Sequence, residues 1–257
     1  MKLRMQITKD KDIRFISHLE YVRTIGRAIR RAKLPAAYSE GFNPHLKFSL
    51  ASALGVGVVS YTEFVEIELA EPMEVEAAAK ALDAALPRGI RVLAADAVET
   101  HHAALMSQAA GAKYRVTLPY SRDISEAAAQ FNAAETLLFK KAAPKKKDKV
   151  KEIDVKFYIP HIDVELVGEN TVFGFTCKIT PTGSMKAVDL LNALNEQYQL
   201  ELPVEMADIE RLELYRANKN GKLIPMLNGD GIKKKASGGL PPGAFFLPYH
   251  FTLISSL

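Results

Sequence analysis

Apolar and polar positions along this chain spell out the same order of elements twice. Residues 2–9, "KLRMQITK", set Leu3, Met5 and Ile7 against polar neighbours, the period-two alternation of a half-buried strand. Ser17 then opens a helix, with Glu20 three residues on in the spacing of a capping box. Leu19, Val22, Gly26 and Ile29 form its expected core stripe, and Pro35 lies beyond its end. Residues 46–51 and 61–70 follow as strands. In the second, Val65, Ile67 and Leu69 share one face, and Phe64, Glu66 and Glu68 the other. An alanine-rich helix over 74–86 and a strand over 89–98 close a βαββαβ unit.

The order then repeats. Residues 114–120 read as a strand and 123–139 as a helix. Residues 152–167 and 171–180 read as a strand pair around the turn "GEN". Residues 184–198 bring Val188, Leu191, Leu194 and Tyr198 onto one helical face, and 208–217 form the last strand. The expected fold class is α+β: two tandem ferredoxin-like halves with an irregular C-terminal extension. The first half spans 1–98, a linker 99–112, the second half 113–217, and a tail rich in Gly, Pro and Lys 218–257.

Composition narrows the class. At 257 residues, 48% apolar and 25% charged, the chain is globular, and no apolar run is long enough to span a bilayer. The opening residues are too charged for a secretory signal peptide. The single cysteine, Cys177, leaves no internal disulfide and no multi-cysteine metal site, and fits a reducing cytoplasm. Of the net +4, the lysine-rich stretch 140–151 supplies seven lysines and one aspartate, leaving about −2 elsewhere. That stretch reads equally as a solvated guard on a strand edge or as a polyanion contact.

Candidate chemistry gathers around the first helix. Arg23, Arg27 and Arg30 recur at i, i+4 and i+7, with Arg31 beside them and only Glu20 near one end. A row of guanidinium forks suits phosphate oxygens, against the plainer readings of a solvated face or pairing with Glu66 and Glu68. The loop "YSEGFNPHLKF" follows. Gly41 permits a positive φ, and Asn43 before Pro44 stays extended. Tyr38 and Phe42 suit base stacking, Asn43 polar contact and Lys47 phosphate, and His45 can move a proton. His18, at the first turn of the helix, is a second catalytic candidate. His101 and His102 are adjacent and so poorly placed to share a metal, and His161 is explained by packing. Cys177 shares a strand face with Phe173, Phe175 and Ile179 and reads as a small core residue. No Ser–His–Asp order, HExxH, GxGxxG or Walker sequence is present, so no metal or cofactor is expected.

Ser17-His18-Leu19, Arg27-Ala28, Arg31-Ala32, Leu34-Pro35, residues 39–45, Gly55-Val56 and Glu63 together resemble the opening half of the bacterial radical-SAM-associated (radical-SAM-linked) family, a domain of unassigned function. Residues 151–159 and 211–216 are similar to its second half, so the resemblance covers about residues 1–227. It implies a neighbouring or fused radical-SAM protein with a cobalamin-binding domain, and genes for a ribonuclease and ribosomal proteins nearby. One cysteine cannot supply the three-cysteine cluster of such an enzyme, so the chain would be the associated module.

The leading expectation is an RNA-binding accessory that presents tRNA or rRNA to a radical-SAM partner, without activity of its own. Arg23, Arg27, Arg30 and Arg31 would hold phosphates, and the loop over 38–47 a base or the partner. Two alternatives stay open. One is a metal-independent RNA-processing enzyme, by fold-level analogy with CRISPR precursor-RNA endoribonucleases, using His18 or His45 with Tyr38 and Lys47. The other is a docking module that binds the radical-SAM partner without touching RNA.

Overall fold

The computed structural model describes residues 1–98, 103–142 and 150–227. His101 and His102, the middle of the lysine-rich stretch and the tail from 228 onward lie outside the described residues.

The alternation of the first strand is realised as β1 (Lys2–Lys9), whose Leu3, Met5 and Ile7 are wholly buried. Next come α1 (His18–Arg31), β2 (Phe48–Leu50), β3 (Val58–Glu68), α2 (Val75–Ala85) and β4 (Val92–Val98). The strands pair in the order β4-β1-β3-β2, each antiparallel to its neighbour. After α3 (Leu105–Gln108), the chain continues as β5 (Ala109–Leu118), α4 (Ser125–Ala133), β6 (Leu138–Ala142), β7 (Val150–Asp154) and α5 (Val155–Tyr158). Then follow β8 (Ile162–Val167), β9 (Asn170–Thr180), β10 (Gly183–Ser184), α6 (Ala187–Tyr198), β11 (Asp208–Ala217) and β12 (Leu223–Pro225). Here the order is β11-β5-β9-β8, again antiparallel, while β6 and β7 form a separate hairpin. The whole is a mixed α+β fold with a large, mostly antiparallel sheet of ten strands and six α-helices among the described residues. None of those helices is long and apolar enough to cross a membrane.

The two sets of strands meet at a fork. β3 and β11 run parallel and pair only over residues 58–60 and 209–211. Beyond that point β2 takes the free edge of β3, and β12 takes that of β11. Each set has its own apolar core. Leu3, Met5, Ile25, Ile29, Val65 and Leu82 build one, and Val116, Phe131, Phe173, Leu190 and Leu194 the other. A smaller cluster of Phe64, Leu105, Ala109, Leu214 and Met226 fills the fork.

Charged residues also cross the fork, with their hydrogen bonds met. Arg211 on β11 donates from Nε to Glu63 Oε1 on β3 (2.9 Å) and from Nη1 to Ser52 Oγ (3.1 Å). The Arg211 and Glu63 side chains are only 1% and 2% exposed. Burial works against the Arg211 charge, but Glu63 beside it holds the guanidinium pKa above its ordinary value. Lys9 Nζ, also buried, donates to the carbonyls of Arg14 (2.9 Å), Ile16 (3.2 Å) and Gly55 (3.3 Å), tying two loops to the end of β1. Arg4 donates to Glu66, to the carbonyl of Met226 (3.0 Å) and to Gln108 Oε1 (2.8 Å), which fastens α3 and the end of β12 to β1.

Several local expectations are corrected. The buried stripe of α1 is Tyr21, Ile25, Ala28 and Ile29 with Gly26; Val22 is half-buried and Leu19 is 56% exposed. Tyr21 can turn inward because its hydroxyl donates to the Thr8 carbonyl (2.6 Å). The helix expected to run to residue 139 stops at Ala133, and Leu138 begins a strand. The strand expected over 152–167 is broken by α5. Asp154 caps this turn by accepting from Lys156 N, and the buried Lys156 ammonium donates to the carbonyls of Phe131 (2.9 Å) and Pro160 (2.6 Å). Residues 105–112, assigned to the linker, form α3 and the start of β5, because Leu105, Ala109 and Ala112 fill the fork core.

Cys177 is buried on β9 beside the second core, as its strand face predicts, and burial pushes its thiol up to about 11. A thiol reagent is therefore expected to label the native protein slowly and the urea-unfolded chain quickly. Fast labelling without denaturant would contradict this placement.

Candidate nucleic-acid interface

Helix α1 begins with the capping box that its sequence encodes. The Ser17 side chain accepts from Glu20 N (3.2 Å), and Glu20 Oε2 accepts from Ser17 N (2.9 Å). The bonds that Ser17 N and Ser17 Oγ donate to Oε2 hold the Glu20 carboxyl below the usual carboxylate range, with a smaller contribution from Arg23. Arg23, Arg27, Arg30 and Arg31 are all exposed. Glu66 and Glu68 do not neutralise them: Glu66 lies against Arg4, and Glu68 against Lys47 (3.3 Å). Arg23, Arg27 and Arg30 form no ion pair within 4 Å among the described residues. Arg31 differs, donating from Nη2 to the Ala85 carbonyl (2.8 Å) at the C-terminus of α2. That contact satisfies a helix-end carbonyl and faces the negative end of the helix dipole.

The following loop is held as a short hairpin. Tyr38 and Leu46 form an antiparallel bridge. Ser39 N donates to the His45 carbonyl (2.8 Å), His45 N to Ser39 Oγ (2.9 Å), and Lys47 N to the Ala37 carbonyl (2.9 Å). Ala37 N in turn donates to the Glu68 carbonyl (2.8 Å), which anchors the hairpin to the end of β3. Gly41 turns the tip at φ +108°, a conformation that side chains rarely adopt. Phe42 beside it is fully exposed, Asn43 and His45 are exposed, and Tyr38 is about half exposed.

Helix α1 meets β2, the strand that follows the hairpin, through Phe48. A Cβ placed on Gly26 would stand 3.3 Å from Phe48 Cζ, so the absence of a side chain there lets β2 close against α1. Arg23 and Arg30 lie three residues before and four after Gly26, on the face that flanks this contact. The arginine row and the base of the aromatic hairpin are therefore neighbours.

The catalytic candidates are divided rather than assembled. Pleat alternation puts Tyr38 and Leu46 on one side of the hairpin and His45 and Lys47 on the other. His18 belongs to the fork instead. Its Nδ1 is buried without a hydrogen-bond partner among the described residues, and burial lowers its pKa from the ordinary 6.5, with Glu63 opposing and Arg211 and Lys9 adding to the shift. Among the described residues no group of three or more His, Cys, Asp or Glu side chains could hold a metal ion. Sequence reasoning passed over the buried set of Lys9, Glu63 and Arg211. Its available signal was Glu63, which falls out of step with the alternation of Glu66 and Glu68 along the same strand.

These features define an α+β protein with an exposed basic helix beside an aromatic hairpin. The chain belongs to the bacterial family described as "Uncharacterized protein conserved in bacteria (DUF2344)", whose family model matches residues 2–204. That description names no partner and no activity. No curated protein matches the chain. Among solved structures, it is similar to a chain of a Cbf5-Nop10-Gar1 complex, with 12% identity and a TM-score of 0.44. The alignment covers 82% of this chain and 48% of that one, so this chain spans about half of that neighbour. A protein described as unknown, from Galdieria sulphuraria, aligns at 13% identity and a TM-score of 0.24, over 82% of this chain and 96% of that one. Likenesses this loose carry no function across.

Proposed function

We propose that this protein is an RNA-binding accessory, built from two tandem ferredoxin-like halves, that works with a radical-SAM enzyme on tRNA or rRNA. The observation that carries the RNA reading is the exposed face of α1, where Arg23, Arg27 and Arg30 form no ion pair within 4 Å among the described residues and only Glu20, near Arg23, brings a negative charge to the helix end. A row of unneutralised guanidinium groups attracts phosphates and suits their oxygens geometrically. The ferredoxin-like reading rests on the pairing orders β4-β1-β3-β2 and β11-β5-β9-β8, which match strand for strand. The radical-SAM partner rests on the sequence resemblance around residues 17–63. With one cysteine, this chain would leave the iron–sulfur chemistry to that partner and contribute only binding and orientation.

The test is to incubate the purified full chain with total cellular tRNA and rRNA at low salt and sequence what is retained. The expected result is a restricted set of RNAs, released as salt rises. Retention of no RNA, with a radical-SAM protein co-purifying nucleic-acid-free, would replace this reading with a protein-docking module.

A further inference from the structure

We infer that the interface takes an unpaired stretch of RNA rather than a duplex, with one base stacked on Phe42 while Arg23, Arg27 and Arg30 hold the adjoining phosphates; this deepens the RNA reading above and rests on it. The first observation is the state of Phe42. The Phe42 ring is fully exposed at a loop tip, so among the described residues its faces are open. The hairpin beneath it is nevertheless fixed by backbone bonds through Ser39, His45, Lys47 and Glu68. A ring presented on a braced support loses little freedom when a base stacks on it, and such stacking accepts any base.

The second observation is the scale of the arginine row. Seven residues of helix separate Arg23 from Arg30, about 10 Å along the axis. That length serves about two or three successive phosphates of one strand. A paired base hides its faces in the stack, so a duplex could use the arginines but not Phe42. Single-strand recognition is the arrangement in which ring and charges act together. Phe48, seated against Gly26, keeps the hairpin base beside the helix face that bears Arg23 and Arg30. Arg31 is left out of the phosphate set, because its guanidinium already serves the end of α2.

The experiment uses the full chain and three fluorescein-labelled RNAs: a twelve-nucleotide single strand, the same strand with abasic positions, and a twelve-base-pair duplex. Anisotropy titrations compare the wild type with Phe42→Ala and Phe42→Trp. Phe42→Ala is expected to weaken single-strand binding about 5- to 100-fold and leave the salt slope unchanged. Its effect on the duplex and abasic strands should be negligible, and Phe42→Trp should restore single-strand affinity. An unchanged or steeper melting transition for Phe42→Ala checks that the fold is intact. Equal losses on single strand and duplex, or no loss on either, would overturn the single-strand inference while RNA binding itself stands. Failure of the wild type to bind any of the three RNAs would overturn both.

Discussion

Replacing Arg211 with alanine is expected to destabilise the fold by about 3–5 kcal/mol, the usual consequence of leaving one partner of a buried ion pair uncompensated. The guanidinium spans the place where β3 and β11 meet, and that meeting involves only three residue pairs. Removing it leaves the Glu63 carboxylate, 2% exposed, without its guanidinium hydrogen bonds and with only the charge of Lys9 to oppose it, and takes away a donor to Ser52 Oγ. Urea unfolding of the wild type and Arg211→Ala measures the difference. The double replacement Glu63→Leu with Arg211→Met should recover much of the loss, because neither member of the pair is then left charged without the other, while the Lys9 ammonium keeps its three carbonyls. A loss below about 1 kcal/mol for Arg211→Ala would mean that water reaches the pair and that the fork is held by its apolar cluster alone.

The second large effect is on binding. Changing Arg23, Arg27 and Arg30 together to alanine should lower affinity for a single-stranded RNA by about 100-fold at 0.1 M salt, since each phosphate contact on a single strand contributes about −0.7 to the salt slope. All three side chains are exposed, so the fold should be little affected. Lys80→Ala, on the exposed part of α2, is the control for a general loss of positive charge and should change affinity only slightly. An equal loss from Lys80→Ala would make the binding diffuse rather than sited on α1.

Signals confined to neighbouring residues were legible in the sequence. The alternation of residues 2–9 became β1 without a shift, and the Ser17 and Glu20 spacing became a closed capping box. The box closes within three residues, and the alternation is complete within the strand itself, although the strands it pairs with, β3 and β4, lie far along the chain. The alanine-rich helix and the apolar face of residues 184–198 likewise became α2 and α6. Long-range partners decided the rest. Residues 155–158 read as strand because Val, Phe and Tyr favour it, yet the Lys156 ammonium gains carbonyls of Phe131 and Pro160 only as a helical turn. Leu19 read as core, but Tyr21 takes the inward position once Thr8 supplies a carbonyl for its hydroxyl.

The same division runs through the candidate interface. The arginine spacing and the turn at Gly41 were visible in the sequence. That Arg31 is engaged with α2 was not, because Ala85 lies 54 residues away. Nor was the separation of Tyr38 from His45 and Lys47, which depends on the hairpin register.

The most direct measurement of the central claim is the slope of log affinity against log salt for one single-stranded RNA, taken for the wild type and for the triple arginine variant. A wild-type slope steeper than the variant's by about 1.5 to 2 is the predicted result, as two or three phosphate contacts require. Identical slopes would contradict it and place any RNA contact somewhere other than the first helix.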